Sequence, residues 1–184
     1  MKPILLSLSM ALFAVPPGNG QTNAAGNDES PIDYAGMFSD MRFTEEHAYG
    51  STIELWRQGD RFFGLFSHAE GLDGDTPTGL LDDLKFDSKS GKLSFKAKLT
   101  TGDHYCKVHD GVPSRDLFVF RGKWAGDRIT GTLKTSDALH PEEPPEAKKT
   151  VFKKSRDEDW SHSKTYGEWK KMVEETLKSL GPKW

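Results

Sequence analysis

"LLDDLKFDSKSGKLSFKAKLT", residues 80–100, decides the fold class. In its second half Leu93, Phe95, Ala97 and Leu99 alternate with Ser94, Lys96 and Lys98. Successive side chains of a strand point to opposite faces, so this alternation makes one dry face and one wet face. "SKSG", residues 88–91, is turn chemistry. Two strands joined by so short a connection have to be antiparallel neighbours.

The same pattern extends in both directions. Upstream, "STIELWR" (51–57) sets Ile53 and Leu55 against Thr52 and Glu54, "QGD" (58–60) turns, and "RFFGLFSHA" (61–69) returns. In that return Phe62, Gly64 and Phe66 share one face, with Phe63 and Leu65 on the other. Residues 36–45 supply an earlier strand carrying Phe38, Met41 and Phe43. Downstream come "RDLFVFRGKW" (115–124), the turn "AGD", "RITGTLKT" (128–135) and a last piece, "TVFKK" (150–154). No helical period interrupts them, which excludes alternating βα units. The expected fold is mainly β: an antiparallel up-and-down meander of about eight strands, closed as a barrel or strongly curled, because closure removes exposed edges. Gly64, Gly122 and Gly131, inside strands, mark bends.

One helix follows. Thr165 and Glu168 have capping-box spacing, and Trp169, Met172, Val173, Thr176, Leu177 and Leu180 form one apolar stripe. Gly181 and Pro182 end it, so a helix is expected over 165–180, with its stripe on the sheet and Trp184 folded back as an apolar cap.

The chain opens on Lys2, an apolar run from Ile4 to Val15, then Pro16, Pro17, Gly18 and Gly20. That is the layout of a secretory leader, shorter than the roughly 20 apolar residues that span a bilayer. The expected organisation is a leader over 1–20, a polar lead over 21–33, and one domain over 34–184 with a Pro-rich loop at 136–149. After leader removal no transmembrane span is expected, and the location is secreted or periplasmic. A single cysteine excludes an internal disulfide framework. A net charge of −3 gives no overall attraction to nucleic acid.

A leader, an antiparallel meander and a C-terminal helix together resemble a calycin, the lipocalin and avidin group of ligand-binding barrels. The resemblance spans about residues 34–181. Gly36-Met37-Phe38 stands where lipocalins carry Gly-x-Trp, and Arg156 stands where they carry an arginine after the last strand. It implies a barrel shape and assigns no functional residue.

Two sites are candidates. An open interior would take a small apolar or amphipathic ligand on Phe62, Phe66, Leu93, Phe95, Leu117 and Val119; the same residues would equally fill a packed barrel. In "DHYCKVHDGVPSR" (103–115), His104, Cys106 and His109 offer two imidazoles and a thiolate, ligand types suited to zinc or copper, provided the turn near Val108 swings His109 round. The basic run "AKKTVFKKSR" (147–156) reads as a strand edge protected by charge. No nucleophile elbow, phosphate loop or His-Glu-x-x-His occurs, so no catalytic residue and no cofactor is assigned. Three readings stay open: a non-enzymatic ligand-binding barrel, an envelope interaction or scaffold protein with a filled core, and a small metal-binding protein.

Overall fold

The structure, a computed structural model, describes residues 29–72, 76–104, 107, 110–179 and 184. Among the described residues, twelve strands and one helix follow in chain order: β1 (Asp33–Ser39), β2 (Arg42–Phe43), β3 (His47–Gln58), β4 (Arg61–Leu72), β5 (Thr78–Leu80), β6 (Asp82–Asp87), β7 (Lys92–Leu99), β8 (Asp103–His104), β9 (Val112–Pro113), β10 (Asp116–Ala125), β11 (Arg128–Asp137), β12 (Glu146–Lys154) and α1 (Tyr166–Ser179). Ten strands form one antiparallel sheet in the order β5-β4-β3-β1-β12-β11-β10-β7-β6, with β2 also on β3; β8 and β9 form a separate small hairpin.

The first and last long strands meet, with Phe38 opposite Lys154 and Ser39 opposite Lys153. That pairing carries the sheet round into a nearly closed barrel. The seam lies at Leu81: β5 before it pairs with β4, and β6 after it pairs with β7. Leu81 N–H donates to Gly64 O at 2.9 Å, holding the seam to the β4 wall. The tight hairpins fall where the turn residues are. Gly59, Gly91 and Gly126 all have positive φ, which a side chain would resist.

Alternation decides what faces inward. Along β7, Leu93, Phe95, Ala97 and Leu99 are buried while Lys92, Lys96 and Lys98 are exposed. The main core joins these four to Phe38, Ile53, Leu55, Phe66, Phe118, Phe120, Ile129, Leu133 and Phe152, all 0–6% exposed. The hairpin end of the barrel is plugged by Phe62, Phe86 and Trp124, whose ring centroids lie 5.0–5.5 Å apart.

Outside the barrel, a second cluster forms beneath α1. Trp169, Val173 and Leu177 pack on Trp56, Phe63 and Leu65, which point outward from β3 and β4. The capping box is present: Glu168 N–H donates to Thr165 Oγ1 at 3.2 Å, and Thr165 N–H donates to Glu168 Oε2 at 3.3 Å. The chain end returns to the barrel, where Trp184 Nε1–H donates to Leu99 O at 2.8 Å and Lys98 Nζ lies 5.0 Å from the ring centre. Among the described residues no helix is long and apolar enough to cross a membrane.

Candidate functional site

The six side chains expected to line the interior divide. Phe66, Leu93 and Phe95 are in the core. Phe62 is half-buried in the aromatic plug. Leu117 and Val119 are corrected: they lie on the outer face, half-buried, opposite Lys98 and Lys96 of β7. The inward residues of β10 are Phe118 and Phe120, opposite Ala97 and Phe95. Rings bridge the space between walls. Phe66 of β4 stacks obliquely on Phe118 of β10 at 5.1 Å, although those strands do not pair, and Phe120 meets Phe95 at 5.1 Å and Phe152 at 5.8 Å. These are contact distances for aromatic pairs, so side chains fill the middle of the barrel.

The other end, the mouth, is polar. Here the inward faces of β3, β4 and β12 carry Ser51, His68 and Thr150. Asp40 reaches over from the β1–β2 connection; its Oδ1 accepts from Ser51 N–H at 2.7 Å and its Oδ2 from the Thr150 hydroxyl at 2.6 Å. Ser51 Oγ and His68 Nδ1 are 2.8 Å apart, and His68 Nε2 is 3.8 Å from Glu70 Oε2. A half-enclosed cleft of about 160 Å³ opens there, with Glu146 and Lys148 on its other side. Burial holds the His68 pKa below its ordinary value, against the upward pull of Glu70, Asp40 and Asp116. Serine, histidine and glutamate in sequence contact suggest a nucleophile, but Ser51 is only 2% exposed. The bonds that Asp40 accepts from Ser51 N–H and the Thr150 hydroxyl tie the β1–β2 connection to the mouth. Neither Ser51 nor His68 was singled out from the sequence, although the parity of Phe62, Gly64 and Phe66 carries His68 inward.

The metal trio does not assemble into a described site. Cys106 and His109 lie outside the described residues, and of His104 only the backbone, paired with Val112, is described. Arg156 is exposed, and the cation beside Phe38 is Lys154, with Nζ 5.9 Å from the ring centre and donating to Ala35 O at 3.1 Å.

The strand β12 is not a free edge, as its lysines had suggested. It pairs with β11 from Glu146 to Lys153 and with β1 at its end. Its outward residues Lys149, Val151 and Lys153 therefore join a broader surface. An open trough of about 1000 Å³ runs over the outer face of β6, β7, β10, β11 and β12. Lys85, Lys92, Arg121, Lys123 and Lys149 line it, together with the hydroxyls of Ser94, Thr130 and Thr132 and one acid, Asp87. Asp87 is engaged by its own turn, with Ser90 Oγ at 2.5 Å and Lys89 N–H at 3.0 Å, and these bonds lower its pKa.

Fold and surface define the class: a helix-braced antiparallel β-barrel with a filled interior, a polar mouth and a basic outer trough. No family model matches the chain, and no curated protein or solved structure is significantly similar to it.

Proposed function

We propose that the protein is an exported, non-enzymatic interaction scaffold of calycin-like shape, working through its outer surface. The supporting observation is the packing of the barrel. Thirteen core side chains among the described residues are at most 6% exposed, and their rings touch from wall to wall. A carrier of the lipocalin kind needs a dry cavity of roughly 300–1,000 Å³ for a ligand of ordinary size, and here the same positions hold phenylalanines. The export part of the reading rests on the leader-like residues 1–20.

Extraction of gently purified protein, followed by mass spectrometry of small molecules, tests the reading. The expected result is no apolar compound at stoichiometric level. A retained apolar compound, displaced when Phe118 is enlarged to tryptophan, would restore the carrier reading and sink this one.

A further inference from the structure

The trough has a charge pattern that packing does not explain. Strand register places its residues in two rows across the sheet. One runs Asp87, Lys92, Lys123, Thr130, Val151; the next runs Lys85, Ser94, Arg121, Thr132, Lys149. Lys92 and Lys123 are direct cross-strand partners, and like charges so placed repel. None of the five bases has an ion pair within 4 Å among the described residues; the one acid, Asp87, stands opposite Lys92, but its carboxylate is bonded to Ser90 and Lys89 of its own turn. Acids are not scarce: the chain has 28 of them against 25 lysines and arginines. Solubility alone is served by interspersed signs, so the segregation calls for an anionic occupant.

Shape and chemistry narrow that occupant. Five strands at a spacing of about 4.8 Å make the trough roughly 20 Å across, a length suited to several units of a linear polymer. Single-stranded nucleic acid is held by aromatic platforms on which bases stack; the one aromatic residue lining the trough, Phe86, is half-buried with its ring packed against Phe62 and Trp124, and the two rows contain none. Hydroxyls between the bases, with one guanidinium at the centre for bidentate pairing, suit carboxylates on a polyhydroxylated chain. The geometry points to an acidic polysaccharide, bearing uronate carboxylates, lying across β6, β7, β10, β11 and β12. This rests on the surface-acting reading above.

Titration of the full chain with a short polyuronate, followed by calorimetry or tryptophan fluorescence at several salt concentrations, tests it. By analogy with a flexible nucleic acid strand, each neutralised charge adds about 0.7 to the logarithmic salt slope. Five contacts then give a slope near −3.5, and affinity falls about 100-fold from 50 to 200 mM salt. The triple variant Arg121→Gln, Lys123→Gln, Lys149→Gln should bind at least ten-fold more weakly, with a slope of about −1.4. Its melting temperature should not fall, since all three side chains are exposed and Lys123→Gln removes the repulsion from Lys92. The triple variant Lys170→Gln, Lys171→Gln, Lys178→Gln, on the helix, makes the same change in net charge and should bind like the wild type. The inference is overturned if the trough variant binds undiminished, if the helix variant weakens equally, or if an oligonucleotide or anionic-lipid vesicles compete out the polyuronate. A compound found inside the barrel while polyuronate still binds would overturn the scaffold reading and leave this site in place. Absence of polyuronate binding with an empty interior would do the reverse.

Discussion

Replacing Gly122 by alanine tests whether the barrel bends where its walls are pinched together. Gly122 and Gly131 are direct partners across β10 and β11. A Cβ on Gly122 would lie 2.2 Å from Thr130 O, 2.6 Å from the tip of the Phe120 ring and 2.8 Å from Gly131 Cα. A Cβ on Gly131 would meet Arg121 O at 2.4 Å and the same Phe120 atom at 2.6 Å. Most of these neighbours are backbone, so they cannot swing aside; the strands must part. Overpacking of a well-packed region costs about 1–3 kcal/mol, and contacts this short belong at the upper end. Alanine also restricts the unfolded chain, which offsets about 0.4–1 kcal/mol. The net loss is about 2–2.5 kcal/mol, a large share of the roughly 5–15 kcal/mol that holds a domain folded. It corresponds to a fall of roughly 4–10 °C in melting temperature for a domain of this size. Adding Gly131→Ala should cost less than it does alone, because both methyls push on one ring and one strand pair. Gly102→Ala is the control: nothing lies within 4 Å of its Cβ position, and its φ is not in the left-handed region. Urea unfolding followed by tryptophan fluorescence measures the four variants against the wild type. Equal midpoints for Gly122→Ala and Gly102→Ala would refute the idea that the glycine pair sets the curvature.

Two other perturbations probe the helix and the mouth. Trp169, 1% exposed and 4.6 Å from the Phe63 ring, anchors α1; Trp169→Ala should cost about 3–5 kcal/mol in urea unfolding, whereas the exposed Lys171→Ala should stay within about 0.5 kcal/mol, and similar losses from both would show that the helix is not docked through its stripe. His68 should make stability pH-dependent: its folded pKa is lowered by burial, with Glu70, Asp40 and Asp116 pulling it up and Lys148 pushing it down, so below its ordinary value of 6.5 the unfolded chain binds the extra proton first and stability falls as pH falls towards the folded value. Unfolding midpoints measured from pH 7.5 to pH 5 should decline more steeply for the wild type than for His68→Gln, and parallel curves would remove His68 from the account.

Local pattern carried the strands and hairpins well, because each is specified by neighbours in the chain. The alternation in 92–99, the turn glycines and the capping box of Thr165 with Glu168 all appear in the structure as the sequence implies. Parity failed in β10, where Leu117, Phe118, Val119 and Phe120 are all apolar and set no face by themselves. The wet face was nevertheless marked two residues on, since Arg121 and Lys123 share the parity of Leu117 and Val119. The basic face was illegible for a different reason. Lys85 and Lys149 are 64 positions apart in the numbering and come to one trough only through the registers of four successive strand pairs. No window along the chain contains that information. The lysines of β12 were read as edge protection because barrel closure, which gives that strand a partner in β1, is a property of the whole sheet.

A strand has two faces, and in this barrel their uses are divided by what lies against them. The inward face is packed with apolar side chains except at the mouth, where it carries Ser51, His68 and Thr150. The outward face of β3 and β4 is apolar because α1 covers it, with Trp56 wholly buried there. The outward face of β6, β7, β10, β11 and β12 has no such helix over it; its residues are mostly lysine, arginine, serine and threonine with scattered aliphatics, and its acids include Asp87 in the trough and Asp83, paired to Lys96 at 2.7 Å. If that face served hydration alone, acids opposite the bases would stabilise the ladder through cross-strand pairs at no loss of solubility. Within the trough, however, Lys92 stands against Lys123 on one side, and Asp87, its partner on the other, has its carboxylate bonded within its own turn. A filled and braced core is what lets a sheet tolerate repulsion on its surface, and an anionic chain laid across the trough converts that repulsion into binding.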